Sequence, residues 1–351
     1  MLLLVLIVSQ CGCSGKQEVI SGQDWLLDTS CSIVLYKGGS AQTIDKAFSL
    51  GRDYEALLSR TMEGSDVWNF NHSETGCTVG SDLFVLTMEA VQYAMATDGL
   101  FDPTVGSVSS LWDFGAAEPA LPDAQALEEG LTCTGSYGAL GFRPVAAEDA
   151  PARISPELIN AEMFQGVRYF ISKPDPGVML DMGAIAKGYI ADRLADFLRA
   201  EGIKSAIISL GGNIVLVGDK PGNSPWIIGI QDPGYKEYEG SGDRSILGSL
   251  ELGEGSVVTS GTYERCFDLQ GQTYHHVLDP RTGYPAETDL DSATVIGPQS
   301  ICCDALSTCC LLSGSQKALE LIERYEGYEC VLVKTDGTLL QSSGADLKPA
   351  K

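Results

Sequence analysis

Apolar side chains recur every three to four positions in several stretches of the chain, the spacing with which a helix buries one face. Between these stretches, polar and small residues interrupt the pattern, so we interpret each stretch as a separate amphipathic helix. The sequence therefore predicts helices at residues 41–60, 81–99, 188–200, about 302–313 and 315–326.

Short runs of β-branched and aliphatic residues lie among these helices: "SAIISL", "NIVLVG", "WIIGIQ", "SATVIG" and "ECVLVK". Gly, Asn and Pro turns separate several of them, as between strands of one sheet. Neighbouring strand runs indicate an α+β protein with a mixed sheet, not a doubly wound one. Since no repeat or low-complexity linker divides the chain, we predict one domain at 22–345 that includes a smaller α/β subdomain.

The chain begins with "MLLLVLIVSQCGCSG", an apolar run as long as a signal's hydrophobic region and too short to span a bilayer. A cysteine and a polar stretch follow, which resembles a bacterial lipoprotein signal. We expect residues 1–21 to be a signal and tether, with Cys11 or Cys13 carrying lipid on the extracytoplasmic face of the cell membrane. No Lys or Arg precedes the run, so an ordinary N-terminal strand is the alternative.

The formal charge of −24 excludes nucleic acid as a partner, because no basic stripe offsets the repulsion. Any phosphate ligand would need a local cation. The 11 cysteines are mostly scattered, and the four in "CCDALSTCC" lack a zinc-ribbon spacing. We expect reduced, small buried hydrophobes rather than disulfides or a metal cluster.

The stretch "LDMGAIAKGYIADRLADFL" places Asp181, a Gly183–Ala184 turn and Lys187 at the start of an amphipathic helix. It is not a P-loop, because Gly188 and Tyr189 stand where Lys and Ser or Thr are needed. A turn carbonyl can ligate a hard cation, and a lysine offers a point charge to phosphate. Alternatively, Asp181 caps the helix and Lys187 is solvated.

A second cluster lies in "CCDALSTCC", where Asp304 and Thr308 are four residues apart. On a helix they share a face. A carboxylate and a hydroxyl supply hard oxygens, which suit Mg²⁺ better than a soft metal. The alternative is that Asp304 caps the helix and Thr308 is a partly buried hydroxyl.

Histidine is scarce, with 3 in the chain, which excludes a multi-histidine zinc centre. His275 and His276 open "HHVLDPRTGYP" after a strand-like run, where adjacent side chains face opposite sides. At most one of them can address a given site, and each is alternatively a surface or core imidazole.

Upstream, "SDVWNFN" and "DGLFDPTVG" place aromatic and polar residues in a turn-rich context. Aromatic faces flanked by polar groups suit a planar ring ligand, and they suit a core equally well.

Taken in order, seven stretches resemble motifs of the ApbE family, the FAD:protein FMN transferases: "SDVWNFN", "GLFDPTVG" with "LWDFG", "LDMGAIAKGYIADRL", "LGGNIVLVG", "TSGTYER", "HHVLDPRTGYP" and "DALST". They spread over most of the chain. The resemblance implies an ApbE-like, T-fold-like catalytic domain. It also implies Mg²⁺-dependent transfer of FMN from FAD to a threonine hydroxyl of a target flavoprotein, with release of AMP.

The same resemblance implies roles for individual residues. Mg²⁺ would be held by Asp304, Thr308 and the carbonyl of Ala184. His276 would take the proton from the threonine hydroxyl, while His275 would point away. The implied FAD contacts are Trp68, Asn71, Leu100, Phe101, Asp102, Asp181, Lys187 and His276.

The chain departs from the family on its first strand, where Met-Gly-Thr is usual and "LLDTSCSIVLY" places Leu27 and Asp28 in the first two positions. The implied acceptors are subunits of membrane redox complexes and related flavoproteins. Two other functions remain: Mg²⁺-dependent hydrolysis of FAD to FMN and AMP, and a non-catalytic flavin-binding lipoprotein. The presence of His276 favours an enzyme, since binding alone needs no base.

Overall fold

The structure, a computed structural model, describes residues 19–145, 167–234 and 246–350. Most of the predicted signal and tether, including Cys11 and Cys13, therefore lies outside the described residues and stays a prediction. Within the described ranges, no helix combines the length and the apolar character needed to cross a membrane.

The strands follow in chain order: β1 (Ile20–Leu26), β2 (Thr29–Lys37), β3 (Gly76–Val79), β4 (Gly141–Val145), β5 (Arg168–Ser172), β6 (Ser205–Leu210), β7 (Asn213–Val217), β8 (Trp226–Gln231), β9 (Ile246–Leu252), β10 (Gly255–Gly261), β11 (Cys266–Leu269), β12 (Gln272–His275), β13 (Leu290–Gly297), β14 (Glu329–Lys334), β15 (Leu339–Gln341) and β16 (Lys348–Pro349). The helices are α1 (Ala41–Leu58), α2 (Asp66–Asn71), α3 (Ser81–Ala96), α4 (Gly106–Ser109), α5 (Ala124–Leu131), α6 (Ala186–Ala200), α7 (Ser300–Ser313) and α8 (Ser315–Ile322).

A central sheet organises the molecule, with strand order β1-β2-β6-β7-β10-β13-β14-β15. Each of these neighbouring pairs is antiparallel. In β2, Cys31, Ile33 and Leu35 are fully buried while the residues between them are not. This alternation directs one face of the sheet toward the helices, as period-2 patterning requires.

Helices α1, α6 and α7 pack on that face, and their apolar residues form one core with the inward residues of the sheet. The opposite face carries the small sheet β16-β9-β8, where Trp226 packs edge-on against Tyr36 of β2 with ring centroids 5.2 Å apart. The central sheet is therefore covered by helices on one side and by a second sheet on the other.

A smaller α/β part is built from the sheet β3-β5-β4 with α2 and α3. Its residues Val79, Tyr169 and Ile171 are fully buried and belong to the main core. The predicted α+β fold is confirmed, with the smaller part sharing its core with the rest of the domain. The predicted domain limits, 22–345, stay a prediction.

The predicted helices and strands are found, with differences at their ends. The second predicted helix ends at Ala96 because Asp98 (φ 51°) and Gly99 (φ 77°) adopt left-handed backbone that a helix cannot continue. "SDVWNFN" is a short helix instead of a turn-rich segment, and the Ser65 side chain caps it by accepting a hydrogen bond from Trp68 N at 2.9 Å.

No disulfide joins the cysteines of the described ranges. Most of them, including Cys303 and Cys310, are buried, and burial raises the pKa of both thiols well above the ordinary value. The prediction that they serve as small buried hydrophobes is confirmed for these residues, whereas Cys266 is exposed.

Candidate active site

Several loops meet at one end of the central sheet. The β1–β2 turn is formed by Leu27 (φ 54°) and Asp28 (φ 57°), the positive φ pair of a tight hairpin turn. The β6–β7 turn lies beside it, since Gly211 N donates to Ser30 O at 3.3 Å. Strand β10 passes next to this turn, since Thr259 N donates to Gly212 O at 3.0 Å. Its continuation leads to β11 and β12; β12 ends at His275, and His276 follows directly.

A buried amide fixes the segment that enters the site from the α6 side. Asn71 Nδ2 donates to Leu180 O at 3.0 Å, and Leu180 N donates to Asn71 Oδ1 at 2.7 Å. The buried Lys173 ammonium adds support by donating to Asn71 O at 3.2 Å and to Val178 O at 3.0 Å. The structure thus uses the Asn71 side chain, an implied FAD contact, to hold the backbone immediately before Asp181.

Asp181 is held from three directions. Its carboxylate accepts hydrogen bonds from Ser109 Oγ at 2.6 Å and from Gly183 N at 2.9 Å, and Arg60 Nε lies 3.5 Å away. Helix α6 begins at Ala186 and has no side-chain cap. The alternative that Asp181 caps this helix is therefore wrong, and the residue lies at the site in a fixed orientation.

One hydrogen bond joins the start of α6 to α7 and leaves the Ala184 carbonyl without its usual helical donor. Gly188 N donates to Asp304 Oδ2 at 2.7 Å, and not to the Ala184 carbonyl four residues earlier. Among the described residues no donor takes that carbonyl, so it remains open to a cation. Asp304 does not cap α7, because Asp192 accepts from Ser300 N and Ile301 N, both at 2.9 Å.

Glycine is required at position 188, which answers why no P-loop lysine stands there. A Cβ at Gly188 would lie 2.3 Å from Ser300 O and 2.7 Å from the Asp304 Cβ. Only a glycine lets α6 approach α7 closely enough for its backbone N–H to reach the Asp304 carboxylate.

Hydroxyl oxygens lie next to Asp304 on the sheet side. Ser260 Oγ of β10 is 2.7 Å from Ser307 Oγ and 3.4 Å from Thr308 Oγ1. Thr308 donates to the Asp304 carbonyl at 3.3 Å, which leaves its lone pairs available. Asp304 and Thr308 share the helix face that the sequence predicted.

The side chains at this end influence one another electrically. Burial raises the pKa of Asp304, and the neighbouring Lys187 ammonium opposes that rise. The same ammonium disfavours the protonated form of His276. Lys187 is therefore placed among the groups of the site and is not an isolated, solvated first-turn residue.

The two histidines have different surroundings. Burial, together with the Arg265 and Lys187 charges, lowers the pKa of His276 to about 4. His275 lies beside the Ala286 backbone, and its pKa is lowered mainly by burial. Of these two imidazoles, His276 is thus the one affected by Arg265 and Lys187, and its backbone N–H donates to Arg265 O at 3.0 Å.

The remaining implied FAD contacts line the region around α2 and the turn after α3. Trp68 is half-buried and stacks on His72 with ring centroids 4.0 Å apart, while Leu100 is also half-buried. Phe101 is buried, and Asp102 accepts from Thr104 N at 2.7 Å and Gly135 N at 2.6 Å. Phe101 and the Asp102 carboxylate are thus engaged within the protein, whereas Trp68 and Leu100 keep exposed surface.

Asp28, the acidic residue at which the chain departs from the family's Met-Gly-Thr pattern, has a basic neighbour. Arg265 Nη2 lies 3.5 Å from Asp28 Oδ2, so the acidic side chain at the hairpin tip faces a cation of the segment between β10 and β11. Its charge is thereby partly offset where an anionic ligand would approach.

The oxygens at α6 and α7 fit Mg²⁺. The described residues contain no group of three or more His, Cys, Asp or Glu side chains able to hold a metal. They do bring together one buried carboxylate, one hydroxyl and one unpaired carbonyl. Mg²⁺ is commonly held by one or two carboxylates with phosphate oxygens of the substrate completing the shell.

Several residues of this region were not singled out by the sequence, among them Arg60, Ser109, Lys173, Asn213, Ser260 and Arg265. Asn213 and Ser260 stand within "LGGNIVLVG" and "TSGTYER", so a motif marked their position without giving a role. Arg60, Ser109 and Lys173 act through contacts between distant segments, for which a single sequence carries no signal.

Comparisons with known proteins show the family of this chain. The chain matches the family model of the ApbE family over residues 27–332. The FAD:protein FMN transferase of Treponema pallidum (strain Nichols) is 32% identical over 359 residues, covering 97% of this chain and 92% of that protein. One from Klebsiella pneumoniae (strain 342) is 34% identical over 305 residues, covering 86% and 85%.

Solved structures share the fold. The crystal structure of the ApbE protein from Thermotoga maritima MSB8 superposes with a TM-score of 0.76 at 29% identity and covers 93% of this chain and 97% of its own. The flavin transferase ApbE from Vibrio cholerae, at 23% identity, has the same fold with a TM-score of 0.73 and coverages of 93% and 97%. With a family match over most of its length and relatives above 30% identity, the chain belongs to the ApbE family.

Proposed function

We propose that this protein is a FAD:protein FMN transferase, which moves FMN from FAD to a threonine hydroxyl of a target flavoprotein and releases AMP. The observation that carries the proposal is the contact of the start of α6, which bears Lys187, with the buried Asp304 through Gly188 N at 2.7 Å, together with the influence of the Lys187 charge on His276. Relatives that match most of the chain are FAD:protein FMN transferases, which supports the same activity.

In the proposed reaction the threonine oxygen attacks the phosphorus on the FMN side of the FAD pyrophosphate. The bond from that phosphorus to the bridging oxygen breaks, and AMP leaves with the bridging oxygen. The hydroxyl proton passes to His276, whose lowered pKa keeps it unprotonated and able to accept. FMN remains joined to the threonine by a phosphoester bond.

Asp304, Thr308 and the Ala184 carbonyl are the residues that would hold Mg²⁺. When bound, the ion would neutralise charge on the pyrophosphate. Lys187 supplies a second positive charge from the first turn of α6. These cations answer the requirement set by the acidic chain, since its net charge of −24 repels an anionic dinucleotide.

The half-buried Trp68 and Leu100 are proposed to contact the flavin nucleotide through their exposed surface. Asp181, held by Ser109 and Gly183, presents a fixed carboxylate to the same ligand. Asn71, Phe101 and Asp102 would contribute mainly by shaping the backbone around it.

We further propose that residues 1–21 tether the enzyme by a lipid on Cys11 or Cys13, on the extracytoplasmic face of the membrane. Acceptors would then be subunits of membrane redox complexes and related flavoproteins. Replacing both cysteines by serine should move the protein from the membrane fraction to the soluble fraction; unchanged membrane association would contradict the tether.

Intact-mass spectrometry tests the transfer. The protein is mixed with FAD, Mg²⁺ and an acceptor domain that exposes a threonine, and an FMN-sized increment on the acceptor is expected. The increment should disappear with EDTA and with His276→Ala, whereas the matched control His275→Ala should retain it.

Other outcomes separate the alternatives. Free AMP and FMN beside an unmodified acceptor would identify FAD hydrolysis, with water in place of the threonine. Intact FAD under all conditions would contradict both enzymatic functions and leave a flavin-binding lipoprotein.

A further inference from the structure

Asn213, the first residue of β7, has a buried amide without partners. Its side chain is fully buried, and neither Oδ1 nor Nδ2 has a hydrogen-bond partner among the described residues. An amide in that state is costly, because it has lost its hydrogen bonds to water and gained none in return. Such a group calls for a partner that the folded chain alone does not supply.

The register of the sheet shows where this amide lies. Val215 and Val217 alternate with Asn213 along β7 and belong to the core under the helices, so Asn213 faces the helices as well. Asn213 pairs with Val258 of β10, and two residues further along that strand Ser260 reaches Ser307 of α7. Asn213 therefore lies under α7 close to the turn that carries Asp304.

Only one oxygen of the Asp304 carboxylate, which lies near Asn213, accepts a hydrogen bond from the backbone. Asp304 Oδ2 accepts the Gly188 N–H at 2.7 Å, and among the described residues no other hydrogen bond of full geometry reaches this carboxylate. The Asn213 amide is near enough to Asp304 for a hydrogen-bond interaction to lower the pKa of that carboxyl, although neither amide atom reaches full hydrogen-bond geometry.

We propose that Asn213 is a positioning residue for the Asp304 metal site. Its Nδ2 donates to the Asp304 carboxylate once a divalent cation is bound and holds that carboxylate in its ligating orientation. The inference rests on the proposed function, because it takes Asp304 as a ligand. Groups that orient a metal ligand in this way typically contribute ten- to a hundredfold in metal affinity.

Ser256 offers a matched control. It lies on β10, is 1% exposed, and its hydroxyl also lacks a partner among the described residues. Its neighbour on α7 is Cys303, whose Sγ approaches the Ser256 carbonyl at 3.9 Å, and not Asp304. Removing this hydroxyl tests what an unpaired polar group in the same core layer does away from the carboxylate.

The test is a titration of the full chain with Mn²⁺ alone, followed by electron paramagnetic resonance, for the wild type, Asn213→Leu and Ser256→Ala. Asn213→Leu should raise the Kd for Mn²⁺ about tenfold or more, and Ser256→Ala should leave it unchanged. The melting temperature without metal gives a second readout. It should stay level or rise in Asn213→Leu, because an apolar group of similar size replaces an unpaired amide.

The results separate the inference from the function on which it rests. If the wild type binds Mn²⁺ and Asn213→Leu binds it equally well, the inference is overturned and the proposed function stands. If the wild type binds no Mn²⁺, the metal site of the proposed function fails, and the inference with it. Should Asn213→Leu not fold, Asn213→Ala replaces it, and an unchanged Kd in that variant overturns the inference.

Discussion

At the scale of single residues, the imidazole of His276 is surrounded by influences that oppose its protonation. Burial removes water from the imidazole. The charges of Arg265 and Lys187 disfavour a further positive charge there, and His275 acts in the same direction. The carboxyl of Asp304 is buried in turn, which raises its pKa and makes its charge costly in the folded protein. His276 is thus held in the neutral form that the proposed chemistry needs. Burial acts against the ionised form that a metal ligand needs at Asp304, and the Lys187 charge and the Gly188 N–H act in its favour.

The pH dependence of transfer should reflect the His276 pKa of about 4. Since the folded protein lowers this pKa from 6.5, the neutral base stays populated as the pH falls through 6.5 and is lost only near 4. We expect kcat/KM for FAD to hold between pH 7 and about 5 and to fall below that value. An acid limb centred near 6.5 would contradict the assignment, and His275→Ala should leave the limb in place.

Replacing Asp304 by Asn should separate stability from activity. The amide oxygen can still accept the Gly188 N–H, while the costly buried charge is gone, so the melting temperature without metal should rise. Transfer should fall on the order of 100-fold, because a metal ligand and its charge are lost. A thermal melt and the mass-spectrometric assay check both parts; a variant with wild-type activity would remove Asp304 from the site.

At the scale of elements, the site depends on how closely α6 approaches α7. Gly188 permits the contact, Asp304 receives its N–H, and Asp192 caps α7 from the neighbouring turn of α6. Burial raises the pKa of Asp192 to about 6, although its two backbone hydrogen bonds oppose the rise. The two helices thus exchange hydrogen bonds at the point where the proposed metal ligands lie.

Gly188→Ala should disrupt this contact. Its Cβ would lie 2.3 Å from Ser300 O, a backbone atom that cannot yield without moving α7. We expect the free energy of unfolding in urea to fall by about 1–3 kcal/mol, less whatever alanine gains as a helix former, and transfer to fall with it. Gly138→Ala, with no atom within 4 Å of the added Cβ, is the control and should change neither property. A stable, active Gly188→Ala protein would contradict the close contact.

Periodicity predicted α6 and α7 as helices, and their spacing placed Asp304 and Thr308 on one face. What periodicity could not provide is the contact between the two helices, since Gly188 and Asp304 are 116 residues apart. The same limit hid Lys173, which a sequence presents as an ordinary surface cation and the fold buries among backbone carbonyls. Local pattern determines elements, whereas long-range pairing determines the site.

At the scale of the whole molecule, the net negative charge of the protein and the local positive charge at the site have opposite effects on an anionic ligand. The chain carries −24, yet the end of the sheet that holds the site gathers Lys187 and Arg265. Long-range repulsion acts on an approaching dinucleotide, while short-range attraction acts once it has arrived. Salt screens the long-range repulsion more than the short-range attraction, because the Debye length at physiological ionic strength is about 8 Å.

The association rate of FAD should therefore increase when NaCl is raised from about 10 mM to about 150 mM, because a longer screening length at low salt lets the protein's net charge repel the ligand. Stopped-flow flavin fluorescence at saturating Mg²⁺ measures this rate. Riboflavin, which lacks the phosphates, should show little dependence. A rate that falls with salt would mean that the local cations dominate at long range.

The hydrogen bond from Gly188 to Asp304 also bears on protein engineering. One carboxylate oxygen takes the N–H that would otherwise close the Ala184 carbonyl, so a side chain on one helix creates a ligand on another. Copying the three proposed ligands onto another scaffold would not reproduce the metal site. In a regular helix the carbonyl that corresponds to Ala184 would accept the N–H four residues later and would not be free for the ion. The smallest transplantable unit is a pair of crossed helices with a glycine at their crossing.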